Sequence, residues 1–180
     1  MKREEAWKLV CEYVRSESLQ RHMLAVEAAM IGYAGKFGED EEDWGICGLL
    51  HDFDYEKYPD EHPGKGNEIL KGLGVSSDIL EAIMGHAVYT GVERVSKMAK
   101  TLFAVDELCG FVMALAHVRP EHLDGMKPKS VKKKLKDKRF AANVSREEIE
   151  EGISGLGVDK DEHIGLVIES MKGISKELGF

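Results

Sequence analysis

Apolar residues recur at helical spacing along almost the whole of this chain. Nowhere do they alternate with the period of two that a half-buried strand requires. The clearest case covers residues 94 to about 118, where Met98, Leu102, Val105, Cys109, Val112 and Ala116 fall on one side and Pro120 follows the end. The spacing predicts further helices over residues 3–14, from a cap at Ser18 onward, and from Asp40 and Asp43 to His51-Asp52. Pro63 suits the first turn of a short helix ending at Gly72 or Gly74. Ser76 or Ser77 caps the next, which holds Ile79, Ile83 and His86. Ser145 with Glu148 forms a capping-box pattern, and Asp159 or Asp161 opens a last helix. With no repeat and no linker, the expected fold is an all-α, single-domain helical bundle over residues 1–180.

Composition narrows the function classes. The chain carries a net charge of −8. Residues 127–139 hold Lys127, Lys129, Lys132, Lys133, Lys134, Lys136, Lys138 and Arg139 against Asp137, a local +7 that leaves −15 on the remainder. So acidic a body argues against stable nucleic-acid binding. The lysine run reads first as a solvated helix face, and second as a contact for a phosphorylated ligand. The charged start, Met1 to Glu5, does not lead into an apolar run, which argues against a secretory signal. Residues 108–116 are too short an apolar stretch for a membrane span. Cys11, Cys47 and Cys109 are odd in number and lack CxxC spacing, as in reduced thiols of a cytoplasmic protein.

His51-Asp52 closes the apolar stretch 44–50. Burying an ionisable pair there costs several kcal/mol unless it is compensated, and a metal ion would compensate it. His22 and Asp106 are likewise embedded in apolar helix faces. A lone histidine on such a face is more often a satisfied core residue than a ligand. Imidazole and carboxylate gathered from separate helices instead suit Fe, Mn, Co, Ni or Zn held inside a bundle.

The ordered set His22, His51-Asp52 and Asp106 resembles the HD superfamily of metal-dependent phosphohydrolases, over roughly residues 18–120. The resemblance implies an HD-type core with C-terminal helices, residues 128–180, packed on it. It also implies that those four residues bind a divalent metal. Glu61-His62-Pro63-Gly64-Lys65-Gly66 and Gly85-His86-Ala87 resemble segments of the superfamily's HDIG branch. That resemblance implies a second ion held by His62 and His86, with Asp52 bridging the two. Iron is the favoured metal for such a pair. The branch's His-Asp-Ile-Gly, usually followed by Lys, is here His51-Asp52-Phe53-Asp54-Tyr55. Lys57 is the candidate to replace the missing lysine as a phosphate contact. Longer strings, 50–56 and 103–110, resemble a bacterial and archaeal group of HD proteins, as do Arg119-Pro120 and the lysine-rich segment.

The expected activity is hydrolysis of a small phosphate ester or nucleotide through a metal-activated water. Asp52, Asp54 and Lys57 are the candidate catalytic residues, and Lys57 and Arg119 the candidate substrate contacts. Glu107 either orients a ligand or water or faces another helix. His117, His122 and His163 read as ordinary surface or helix-end residues. Two alternatives stay open: a diiron oxygenase on the same ligands, and a non-catalytic nucleotide- or metal-binding module.

Overall fold

Side-chain caps set where five of the helices start. In the computed structural model, which describes all 180 residues, nine α-helices follow one another with no strand. They are α1 (Arg3–Tyr13), α2 (Glu17–Phe37), α3 (Glu41–Leu50), α4 (Gly64–Gly72), α5 (Ser77–His86), α6 (Lys97–His117), α7 (Pro128–Leu135), α8 (Arg146–Leu156) and α9 (Lys160–Gly173). A single 3-10 turn, Val88–Thr90, lies between α5 and α6. Asp40 caps α3 through the Asp43 amide, and Asp159 caps α9 through the amides of Asp161 and Glu162. No helix is long and apolar enough to cross a membrane.

Three helix starts differ from the expectation. Ser16, not Ser18, caps α2, because its extended backbone lets the hydroxyl accept from the Leu19 amide. Ser96 caps α6 through the Ala99 amide, so that helix begins at Lys97 instead of Arg94. Pro63 sits one position earlier than expected, at the N-cap of α4.

The long helices α2 and α6 run through the centre. α3 packs on α2, α5 and α8 pack on α6, and α9 lies against both long helices. One continuous core joins them, from Val10 in α1 to Met171 in α9. Two glycines let helix backbones touch. A Cβ at Gly48 of α3 would stand 2.9 Å from the Val26 carbonyl oxygen and the Glu27 nitrogen of α2. A Cβ at Gly152 of α8 would stand 2.6 Å from the Ala104 Cα of α6. Neither obstacle is a flexible side chain that could swing aside. Gly48→Ala should therefore lower stability by roughly 1–3 kcal/mol, an overpacking effect. Chemical unfolding measures it, and an unchanged midpoint would show that α2 and α3 can separate freely.

His163 departs from its reading as an ordinary residue. It is fully buried, its Nε2–H donates to the Ala104 carbonyl, and its Nδ1 accepts from the Tyr33 hydroxyl. One side chain thus ties α9 to α2 and α6. Burial, with Lys36 adding to it, lowers its pKa from 6.5 to about 4. An unfolded histidine takes up a proton below 6.5 while this one stays neutral. Its contribution is complete above that pH and is lost as pH falls toward 4, by up to about 3 kcal/mol. The stability difference between the native protein and His163→Gln should shrink from pH 7 to 4.5. A difference independent of pH would contradict the buried neutral imidazole.

Candidate metal centre

Five elements converge on one point. His22 comes from the second turn of α2, and His51 is the C-cap residue of α3 with Asp52 directly after it. His62 ends the loop before α4, His86 is the last residue of α5, and Asp106 lies midway along α6. His22 Nε2 is 2.9 Å from Asp106 Oδ1, and His51 Nε2 is 3.4 Å from that same oxygen.

Asp52 turns one oxygen to each side. Its Oδ2 is 3.4 Å from His51 Nε2 and 4.0 Å from His22 Nε2. Its Oδ1 is 3.3 Å from His62 Nε2 and 3.4 Å from His86 Nε2. Two groupings able to hold a metal ion result, His22-His51-Asp52 and Asp52-His62-His86, and Asp52 belongs to both.

The imidazoles are aimed from behind. His51 Nδ1–H donates to the Gly48 carbonyl at 2.7 Å, and His86 Nδ1–H donates to the Ile83 carbonyl. A carbonyl only accepts, so in both neutral rings the proton sits on Nδ1 and the Nε2 lone pair points inward. His51 Nε2 is buried without a hydrogen-bond partner. His62 Nε2 and His86 Nε2 face each other at 3.3 Å. Inward lone pairs beside two carboxylates form a donor set of imidazole nitrogen and carboxylate oxygen that fits divalent transition metals. The field agrees. Burial opposes charge on His51, yet Asp52 and Asp106 outweigh it and hold the imidazole well above its usual pKa. Burial likewise opposes charge on Asp52, but His51 and His86 hold its carboxyl well below the usual carboxylate range.

Asp54 stands behind this cluster. Its Oδ1 accepts from His62 Nδ1–H at 2.7 Å and its Oδ2 accepts from the Gly66 amide at 2.6 Å, in a side chain 1% exposed. A Cβ at Gly66 would fall 2.6 Å from the Asp54 Cγ, so only glycine fits there. With its oxygens bonded to His62 and the Gly66 amide, Asp54 stands behind His62 and does not line the cavity, where a catalytic group was expected.

A cavity of about 440 Å³ opens on the cluster. Beyond the ligands it is walled by Tyr55, Val88 and Tyr89 and by Glu107, Asn143, Val144 and Glu148. Lys57 and Arg119, expected as phosphate contacts, do not line it. The Lys57 ammonium lies over the Tyr13 ring at 4.1 Å. The Arg119 guanidinium donates to the carbonyls of His122 and Asp124, thirteen residues beyond Asp106 and about 20 Å further along the helix direction. The lysine-rich segment is also outside the cavity, with Lys132 paired to Asp161 and Lys134 to Asp137.

Glu107 is drawn into the site by α8. Its Oε2 accepts from the Ser145 amide at 2.8 Å. Burial pushes its carboxyl up to about 7, against the Ser145 hydrogen bond and with help from Asp106. Because Glu107 takes that amide, the Ser145-Glu148 capping box is only half formed. Ser145 Oγ caps the Glu148 amide, while the Glu148 side chain is left for the cavity wall. Residue type alone carries no signal for Tyr89, Asn143 or Glu148 as site residues, and the capping pattern pointed Glu148 elsewhere.

The HD-domain family model matches residues 19–138. The chain belongs to the HD-domain family. The match spans every candidate ligand from His22 to Asp106, and it places this HD domain in a superfamily of metal-dependent hydrolases that bind divalent metals. Comparisons with curated proteins and with solved structures give no match. In this HD domain, Asp54→Ala should weaken metal binding at the His62-His86 side by about 10–100-fold, as loss of a ligand's supporting carboxylate does elsewhere. Metal titration of the purified protein measures this, and unchanged affinity would remove the positioning role of Asp54.

Proposed function

We propose that this HD domain is a phosphohydrolase acting on a small phosphate ester or nucleotide through a metal-activated water. His22, His51, Asp52 and Asp106 would hold one divalent ion and Asp52, His62 and His86 a second, as in the HDIG-type arrangement. The observation that carries the reading is the Asp52 carboxylate, whose two oxygens face two separate histidine pairs. Two ions in such a site acidify water and neutralise the oxygens of a phosphoryl group.

The chain's own residues divide the remaining work. The carbonyls of Gly48 and Ile83 and the carboxylate of Asp54 keep the three imidazoles of His51, His86 and His62 aimed. Hydrolysis forms a P–O bond from water and breaks the ester P–O bond, and the departing oxygen needs a proton. Glu107, which lines the cavity with its Oε2 held by the Ser145 amide, is the carboxyl we assign to supply it. No lysine or arginine side chain lines the cavity, so neutralisation of the phosphate falls to the ions.

A diiron oxygenase is the second reading, favoured by the same shared carboxylate and by the missing cationic side chain. Both are tested by screening metal-loaded protein against phosphate esters and nucleotides, under air and under nitrogen. The expected result is hydrolysis with Mn or Co under nitrogen, a metal stoichiometry near two per chain, and a fall of at least about 100-fold in Asp52→Ala, beyond the effect of losing an outer partner. Lys57→Ala should retain activity. Turnover that survives Asp52→Ala would overturn the assignment, and iron-dependent oxygen consumption without hydrolysis would transfer it to the oxygenase.

A further inference from the structure

The walls of the cavity have one sign of charge. The chain contains 25 lysines and arginines, yet none lines this opening. Four carboxylates do. Asp52 and Asp106 face the histidines, whereas Glu107 and Glu148 belong to the wall beyond them. Their placement follows from helix capping. The Ser145 amide is spent on Glu107, so Glu148 does not fold back on the start of its own helix. The cavity is a ligand site independently of these two residues, because it is lined by His22, Asp52, His62, His86 and Asp106, and the buried Nε2 of His51, 3.4 Å behind Asp52 Oδ2 and Asp106 Oδ1, has no hydrogen-bond partner.

The rim is aromatic. Tyr89 is 72% exposed and donates its hydroxyl hydrogen to the His62 carbonyl at 2.8 Å. Tyr55 is half exposed and meets the His62 ring edge-on at 5.2 Å between centroids. Both phenols are therefore held against a residue of the metal cluster while much of each ring stays open to solvent.

We propose that the substrate of this site is a small phosphate ester whose leaving group carries an ammonium, with the phosphate at the histidine cluster and the ammonium among Glu148, Tyr55 and Tyr89. This rests on the phosphohydrolase reading. A phosphate's negative charge is matched by divalent ions held by the cluster. A second phosphate or a carboxylate would instead lie beside Glu148 with no cation to face it, and like charges in a partly closed site repel strongly. An ammonium there donates charge-assisted hydrogen bonds to carboxylate oxygen and lies against ring faces that attract cations. The volume suits a compact molecule.

Three esters of similar size separate the cases: O-phosphoethanolamine, ethyl phosphate and 2-phosphoglycolate. Metal-loaded protein should turn over the first with a kcat/KM about ten-fold above the second, and the second about ten-fold above the third. Glu148→Gln should bring the first two together, and Glu148→Lys should place the carboxylate ester above the ammonium ester. Equal or reversed order in the unaltered protein, or a ratio unmoved by both substitutions, overturns the inference. Where a Glu148 variant loses its helical circular dichroism, the order in the unaltered protein decides. Calorimetric binding of the same esters separates this inference from the reading beneath it. Preferential binding of O-phosphoethanolamine without hydrolysis of any ester keeps the inference and removes the hydrolase. Hydrolysis in the opposite order does the reverse, and neither binding nor turnover overturns both.

Discussion

Everything in this molecule is arranged around one carboxylate that two pairs of imidazoles share. Asp52 Oδ2 faces His51 and His22 while Oδ1 faces His62 and His86, and Asp106 closes the first side. Four nitrogens and two carboxylates gathered in a largely buried space are costly without a cation, because each loses water that only positive charge replaces well. The protein pushes the His51 pKa up and the Asp52 pKa down in response. A divalent ion on each side of Asp52 would satisfy the same demand with the imidazoles neutral.

Such a centre requires that helix backbones come unusually close and that each ring be aimed. Gly48 meets both needs: its missing side chain lets α3 rest on the α2 backbone, and its carbonyl fixes His51. Gly66 allows Asp54 to reach in and orient His62. Gly152 brings α8 against α6, which delivers Glu148 to the cavity wall and the Ser145 amide to Glu107. The ligands thus come from α2 to α6, and a separate, later helix sets what can lie beside them.

Much of this candidate site is legible in the sequence. His22, His51, Asp52 and Asp106 stood out because ionisable residues interrupt apolar helical faces, and His62 and His86 because their neighbourhoods resemble HD-type segments. The misreadings have a common origin. Asp54 and Lys57 follow the His-Asp pair closely in sequence, but the turn between α3 and α4 sends Asp54 behind His62 and Lys57 over Tyr13. Arg119 sits at the end of the helix that carries Asp106, and a helix of that length carries it away from the site. His163 lies in no motif, yet its ring joins three helices.

The sequence by itself determined the all-α class, most helix positions and the chemical identity of the candidate metal-binding groups, because these follow from spacing within a single helix and from residue type. Tertiary structure alone decided which oxygen of Asp52 faces which histidines, that Asp54 bonds to His62 from behind and not at the opening, and that the cavity wall holds carboxylates and phenols but no cationic side chain. The physical reason is that these depend on side-chain direction across elements far apart in the chain. Local periodicity carries no record of that, whereas the backbone contacts at Gly48 and Gly152 and the close approach of Asp54 to Gly66 fix it.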